Sequence, residues 1–182
     1  MAYHSSFINE DISICNIALL PLRTTFKGPA TKDADLKYDV IDEALYYFKA
    51  NIFLKNFPIQ SNADRVLIYL MLYVSECLKK MQKCLNKNQA FQEMHMLSNS
   101  TFSIPGDPDF PLNPVYAKPK NRIDEENLRG YFLQLRQETG MRLIEKVFEN
   151  ANCKPSKVTV QSKADFQRPN HFENQMGPWI TL

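Results

Sequence analysis

The segment that most constrains the fold of this chain is ADRVLIYLMLYVSECLKKMQKCLNK, residues 63–87. Its first half is apolar on every side of a helix, which in a soluble protein indicates a helix enclosed by other helices. Its second half is amphipathic, with an apolar face (Cys77, Leu78, Met81, Cys84, Leu85) opposite a row of lysines (Lys79, Lys80, Lys83, Lys87). We therefore predict a single helix, capped by Ser61 or Asn62, that begins in the centre of the core and emerges at the surface.

Hydrophobic periodicity predicts three further helices around this one. The first covers residues 39–55, and a weaker one covers residues 89–99. The third covers residues 124–149, with Asp124 as its cap. Gly140 interrupts this last helix, which permits either close packing of a neighbouring helix or a small kink.

The segment SIPGDPDFPLNPVYAKP, residues 103–119, carries a proline at every third position from 105 to 114. Three residues per turn is the period of a polyproline II helix, so the segment could be a ligand for a proline-reading partner, a loose linker or an ordered strap. Large apolar side chains lie between the prolines (Phe102, Ile104, Phe110, Leu112, Val115, Tyr116), whereas linkers are poor in such groups. The flanks offer Asp107 and Asp109 rather than the basic residue that proline-reading domains usually require. We favour an ordered strap over the core.

Together these segments predict an all-α fold: a single domain over residues 1–182 with a central buried helix, surrounding helices and a proline-rich ordered strap. Only 5 glycines in 182 residues argue against a turn-rich all-β fold. Residues 154–182 are polar and irregular, and we expect this tail to be poorly ordered or divergent.

Composition excludes several classes of function. A formal net charge of +2 gives no general attraction to nucleic acid or lipid headgroups. The amino-terminal residues lack the basic and apolar regions of a secretory signal. The longest apolar run, residues 66–74, is about half of what a membrane span needs. We expect a soluble intracellular protein.

The residues that usually carry chemistry form no recognisable site. The four cysteines make no C-x-x-C pair and have no histidine at ligand spacing, so we expect buried thiols, no metal and no disulfide. His4, His95 and His171 are scattered, and we expect each at the surface. Phosphate-binding and hydrolase motifs are absent from the sequence. We predict a protein without catalytic activity or cofactor; the rival hypothesis is a small helical enzyme with a cleft around a perturbed ionisable residue.

Two stretches remain as candidate protein-interface residues. The lysine row at Lys79, Lys80, Lys83 and Lys87 is either a solvated helix end or a surface that meets an acidic partner. The amino-terminal residues Tyr3, His4 and Phe7 combine apolar and polar groups and could form a docking arm.

Long non-repetitive blocks of the sequence resemble one known family. They are AYHSSF, ALLPLRTTFKGPA, DEALYYFKANIFLKNF, ADRVLIYLMLYVSECLKKMQKC, IPGDPDFPLNPVYAKP and LRQETGMRLIEKVF. These blocks, spread over residues 2–157, are similar to subunit 3, the 21 kDa subunit, of the actin-related protein 2/3 complex. The tail after Lys157 lacks the tryptophan pair and the basic, aromatic character usual in that family.

The resemblance implies a non-catalytic structural subunit of a cytoplasmic assembly that nucleates branched actin filaments. It implies docking to actin-related protein 3 and to other subunits of the complex, and a position near the mother filament in the actin cytoskeleton. It implies an all-helical fold around one central helix and no cofactor, nucleic-acid partner or membrane span. The alternative function is an adaptor that recruits proline-reading signalling proteins through residues 103–119.

Overall fold

The computed structural model describes residues 2–8, 12–51 and 57–148 of the chain. The described part is largely helical, with α1 (Val40–Asn51), α2 (Asn62–Met81), α3 (Lys87–Asn99) and α4 (Arg122–Phe148). Two short strands, β1 (Ser13–Ile14) and β2 (Ile17–Ala18), precede the helices, and a 3-10 turn lies at Asn113–Val115. The predicted tail, residues 154–182, lies outside the described residues.

The two strands add a small sheet that the all-α prediction missed. Ser13 pairs with Ala18 and Ile14 with Ile17 in an antiparallel hairpin. Cys15 adopts a left-handed backbone conformation at the turn, with a φ of 58°. A hairpin with only two residues in each strand is too short to produce an alternating hydrophobic pattern, so no periodicity in the sequence indicated it.

The predicted long helix extends six residues too far, and the helix after it is the one predicted over residues 89–99. α2 ends at Met81, and α3 begins only at Lys87. The side chain of Asn86 accepts a hydrogen bond from the Gln89 amide at 2.8 Å, so it caps a new helix inside the predicted run. The amino end of α2 follows the prediction, because the Ser61 hydroxyl accepts from the Asp64 amide.

The predicted starts of the other helices were right to within two residues, but one cap was wrong. The predicted ends at residues 55 and 149 lie outside the described residues. Asp39 caps α1, since its carboxylate accepts from the amides of Ile41 and Asp42. α4 begins two residues before the predicted start, because Asn121 and not Asp124 is its cap: Asn121 Oδ1 accepts from the Asp124 amide at 2.8 Å.

Helix α2 packs against α1, α3, α4 and β2. Val66, Leu67 and Leu70 are completely buried in these contacts. Leu72, on another side of the helix, is 45% exposed. One side of α2 therefore faces an open groove between the described elements.

The prolines every third residue mark a series of turns. Hydrogen bonds between residues three apart join Asp107 N to Ile104 O, Phe110 N to Asp107 O, and Asn113 N to Phe110 O. Residues 105, 108 and 111, all prolines, occupy the second position of these turns, where a φ fixed near −65° is favoured. A polyproline II helix has no internal hydrogen bonds, so the three-residue period arises here from repeated turns.

The turn segment is attached to the rest of the protein at several points. Ile104, Phe110 and Tyr116 are buried, and the Phe110 ring stacks 6.4 Å from the Phe132 ring of α4. The Tyr116 hydroxyl donates to the carbonyl of Arg65 in α2.

A buried ion network joins the loop before α1 to α4. Arg142 donates to both carboxylate oxygens of Asp39 at 2.7 Å, and lies 3.0 Å from Asp42 and 2.8 Å from Glu138. Its Nη2 also donates to the carbonyl of Arg23 at 2.6 Å. Asp39 is completely buried, so one guanidinium neutralises a cluster of carboxylates that the core could not hold alone.

Gly140 lies where α3 and α4 approach each other closely. A Cβ atom added to Gly140 would lie 3.4 Å from the Cβ of Met94 in α3. Of the two roles that the sequence left open for this glycine, the structure supports close helix packing.

Candidate protein-interaction surfaces

The predicted lysine row is an exposed basic patch that spans two helices. Lys79 and Lys80 lie in the last turn of α2, where positive charge is favourable for the helix dipole. Lys83 lies in the connection, and Lys87 is the first residue of α3. All four side chains are exposed, and no described carboxylate lies within ion-pair distance of them. We call Lys79, Lys80, Lys83 and Lys87 the lysine patch.

The amino-terminal residues lie against the chain's own helices. The ring of Tyr3 stacks on that of Tyr47 at 5.0 Å, and the ring of Phe7 stacks on that of Tyr38 at 5.5 Å. The Tyr3 amide donates to Asn51 Oδ1 at 3.0 Å. Tyr3 and Phe7 thus have intramolecular partners, and their role as a docking arm stays a prediction.

His4, expected at the surface, is half-buried beside a completely buried carboxylate. Its Nδ1 lies 2.9 Å from Asp64 Oδ2, and its ring meets that of Phe57 edge-on at 5.0 Å. The Ser5 amide donates to the other Asp64 oxygen at 2.9 Å. His95, in contrast, is exposed on α3, and His171 lies outside the described residues.

A second buried carboxylate, Glu43, also binds the amino-terminal residues. It accepts from the Ser5 hydroxyl at 2.6 Å, the Ser6 amide at 2.7 Å and the Tyr38 hydroxyl at 2.9 Å. Burial raises the pKa of Glu43, although these hydrogen bonds act in the opposite direction. The arm formed by residues 2–8 is therefore clamped by two carboxylates on α1 and α2.

The exposed side of α2 forms one wall of a groove of about 710 Å³. Leu72, Tyr69 and Tyr73 line it from α2, and Arg136 lines it from α4. Residues 100–103 and 107–112 close its remaining side. We call this space the α2–α4 groove. No local pattern in the sequence indicates this groove, because its residues come from three distant segments.

One signal in the sequence could have pointed to this groove. Arg136 occupies the same face of α4 as Phe132 and Gly140, at a spacing of four residues. A charged residue on an otherwise buried helix face needs a partner, and its partner cannot be inferred from the sequence.

The described residues contain no group of histidine, cysteine or acidic side chains suited to a metal ion. Cys77 and Cys84 are buried free thiols, and Cys153 lies outside the described residues. Burial raises the pKa of Tyr69 to about 12, so this hydroxyl in the groove keeps its proton at neutral pH and is poorly suited to act as a base. Among the described helices, none combines the length and apolar character needed to cross a membrane.

Comparison with known proteins matches almost the entire chain to one family. The profile of P21-Arc, the ARP2/3 complex ARPC3 (21 kDa) subunit, matches residues 1–167. The chain belongs to this family. The match extends over the amino-terminal arm, the lysine patch and the α2–α4 groove, so all three surfaces lie within the family region.

Curated relatives agree with this assignment. The chain is 45% identical over 161 residues to the probable actin-related protein 2/3 complex subunit 3 of Caenorhabditis elegans, covering 86% of this chain and 87% of the relative. It is 46% identical over 151 residues to subunit 3 of Dictyostelium discoideum, covering 81% and 86%. It is 44% identical over 162 residues to subunit 3 of Saccharomyces cerevisiae, covering 86% and 90%. The family resemblance noted in the sequence is confirmed.

Proposed function

We propose that this chain is a non-catalytic subunit of the actin-related protein 2/3 complex that supports the nucleation and branching of actin filaments. The observation that carries the proposal is the family match over residues 1–167. The names of the relatives, each a subunit 3 of the actin-related protein 2/3 complex, support membership of the complex. Within the complex, we propose contact with actin-related protein 3 and a position near the mother filament, in the cytoplasmic actin cytoskeleton.

The proposed mechanism is positioning. Helix α2 acts as the central pillar and residues 103–119 act as a strap, so that the chain presents its surfaces as a rigid block. The buried Arg142 network and the contacts between Phe110 and Phe132 support this rigidity. A rigid block can hold the neighbouring subunits in filament-like geometry, so that they do not have to meet through several separate, improbable collisions. This mechanism requires no catalytic group.

The lysine patch would face the acidic surface of the filament. Four exposed cations without a described counter-ion can accelerate encounter with an acidic partner, and this effect weakens as salt is added. The amino-terminal residues Tyr3, His4 and Phe7 would contribute to docking through the faces that their intramolecular contacts leave open.

The test of complex membership is reconstitution. The full chain is added to the remaining purified subunits of the complex, and incorporation is followed by size-exclusion chromatography and nucleation by actin polymerisation. We expect incorporation and faster nucleation than in its absence. A chain that stays monomeric in the presence of all the other subunits would refute the proposed function.

The lysine patch is tested in the reconstituted complex by changing all four lysines to alanine. We expect weaker co-sedimentation with filaments at low salt, and a difference from wild type that shrinks as salt is raised. A charge-matched control changes four exposed lysines elsewhere: Lys27, Lys37, Lys118 and Lys120. Equal loss in both variants would mean that net charge, and not the patch, controls filament binding.

A further inference from the structure

The floor of the α2–α4 groove contains donors with no partner among the described residues. They are the hydroxyls of Tyr69 and Tyr73 and the Nε of Arg136. The Tyr69 hydroxyl lies beside the Arg136 guanidinium and the Tyr73 hydroxyl beside the Cys77 thiol, but neither neighbour makes a well-formed hydrogen bond with it. Tyr69, Tyr73 and Arg136 are only 7%, 2% and 6% exposed, so bulk water does not satisfy them. Buried polar groups in folded proteins nearly always have hydrogen-bond partners, and three exceptions in one groove indicate a missing partner.

Arg136 also lacks a counter-ion. Its Nη2 donates to the carbonyl of Leu97 at 2.8 Å, and its guanidinium lies between the rings of Tyr73 and Phe102, 4.4 and 4.6 Å from their centres. No carboxylate of the described residues lies within ion-pair distance of it, whereas Arg142 on the same helix has three. Because an arginine keeps its charge in proteins, this cation is buried against a carbonyl and two aromatic rings but without a carboxylate among the described residues.

The rim of the groove carries the opposite charge. Glu76 and Asp109 are exposed at its walls. Asp107 and Arg129 also line it; they lie 3.8 Å apart, and Arg129 pairs more closely with Glu125, at 3.2 Å. A ligand for this groove therefore needs one acidic group at its centre and basic groups beside it.

We propose that the α2–α4 groove binds a peptide segment of a neighbouring subunit, with one carboxylate of that segment on Arg136. The carboxylate accepts from Nε of Arg136 and from the hydroxyls of Tyr69 and Tyr73, while basic residues beside it meet Glu76 and Asp109. The Phe102 ring, which covers the guanidinium, moves aside to admit it. This inference rests on the proposed function, since the partner is taken to be another subunit of the complex.

The proposal makes an unusual prediction for Arg136→Met. Removing a buried charge that has no carboxylate partner leaves the stability of the isolated chain unchanged or increases it, so the urea midpoint stays the same or rises. Affinity for the remaining subunits falls at least about 10-fold, the loss expected for a hydrogen-bonded charge. A purely structural role for Arg136 gives the opposite pattern: a lower midpoint and unchanged affinity of the folded chain.

Three further variants keep the test decisive. Arg136→Lys retains the charge without the planar guanidinium, and should recover part of the affinity. Arg122→Met removes an exposed arginine of α4 and should change neither quantity. Arg142→Met removes a paired buried arginine and should lower the midpoint while the folded chain keeps its affinity.

A photo-crosslinking residue at Leu72, which is 45% exposed in the groove, identifies the segment in the complex assembled from purified subunits. We expect an adduct with a subunit peptide that contains an acidic residue or a carboxyl terminus. Equal affinities of wild type and Arg136→Met, or an adduct without a carboxylate, would overturn this inference and leave the proposed function standing. Failure of the wild-type chain to bind any subunit would refute the proposed function, and this inference with it.

Discussion

The buried network around Arg142 predicts a large and specific loss of stability when that arginine becomes methionine. Arg142 neutralises Asp39, which is completely buried, and Asp42, which is 6% exposed. Methionine fills a similar volume but leaves these carboxylates close together without their shared cation. Arg23 remains within 3.2 Å of Asp42 but makes no ion pair with Asp39.

The size of the loss follows from burial. Breaking a buried pair by removing one partner costs about 3–5 kcal/mol, against about 0–1 kcal/mol for an exposed pair. For a chain of this size, about 2–4 °C of melting temperature is lost per kcal/mol, so we expect a decrease of about 6–20 °C. The matched control is Arg122→Met, because Arg122 pairs with Glu126 at 2.8 Å while their side chains are 89% and 65% exposed.

Thermal and urea unfolding followed by circular dichroism measure the melting temperature and the free energy of unfolding of both variants. A second substitution, Asp39→Asn, should restore part of the stability of Arg142→Met, because asparagine removes the unpaired charge yet keeps an oxygen that caps α1. If Arg142→Met is no less stable than Arg122→Met, or if Asp39→Asn brings no recovery in that background, the network does not hold α4 to the loop before α1.

Three further predictions concern local features. The pKa of Glu43 is raised in the folded state, so this residue contributes its full stabilisation below its unfolded-state pKa and loses it as pH rises through its folded-state pKa. Glu43→Gln removes the titrating group, and should therefore flatten the decrease in the free energy of unfolding measured by urea titrations from pH 4 to 7. Ser5→Ala removes a donor to the Glu43 carboxylate, and should lower the free energy of unfolding by about 1–3 kcal/mol in the same assay. Gly106→Ala should be destabilising, since Gly106 has a φ of 100° and its new Cβ would lie 3.0 Å from that of Lys118. Gly140→Ala, in contrast, should be neutral or stabilising by up to about 1 kcal/mol, because its new Cβ would make an ordinary contact with Met94. Equal melting temperatures for the two alanine variants would contradict this reasoning.

The sequence predicted those parts of the fold that depend on local pattern. The periodicity of the helices and the cap at Ser61 depend on side chains within a few residues of one another. The end of α2 was predicted six residues too late because apolar spacing continues through Cys84 and Leu85, although the helix ends at Met81 and Asn86 caps α3.

The interaction surfaces were predicted less well, since they depend on contacts between distant segments. Asp64 lies 60 residues from His4, and Arg142 lies 103 residues from Asp39. No local pattern links such pairs. The lysine patch could be identified because exposed charge is visible in the sequence, whereas the groove around Arg136 forms only when α2, α4 and residues 100–112 come together.

The successive turns at residues 104–115 also determine how a neighbouring molecule can approach that stretch of backbone. Four of its residues are prolines and have no amide hydrogen, and the amides of Asp107, Phe110, Asn113 and Val115 already donate within the segment. Strand addition needs a row of unpaired donors and acceptors along an extended edge. This part of the chain lacks such an edge, so although it is rich in apolar residues it is a poor template for intermolecular β-pairing and for the aggregation that begins there.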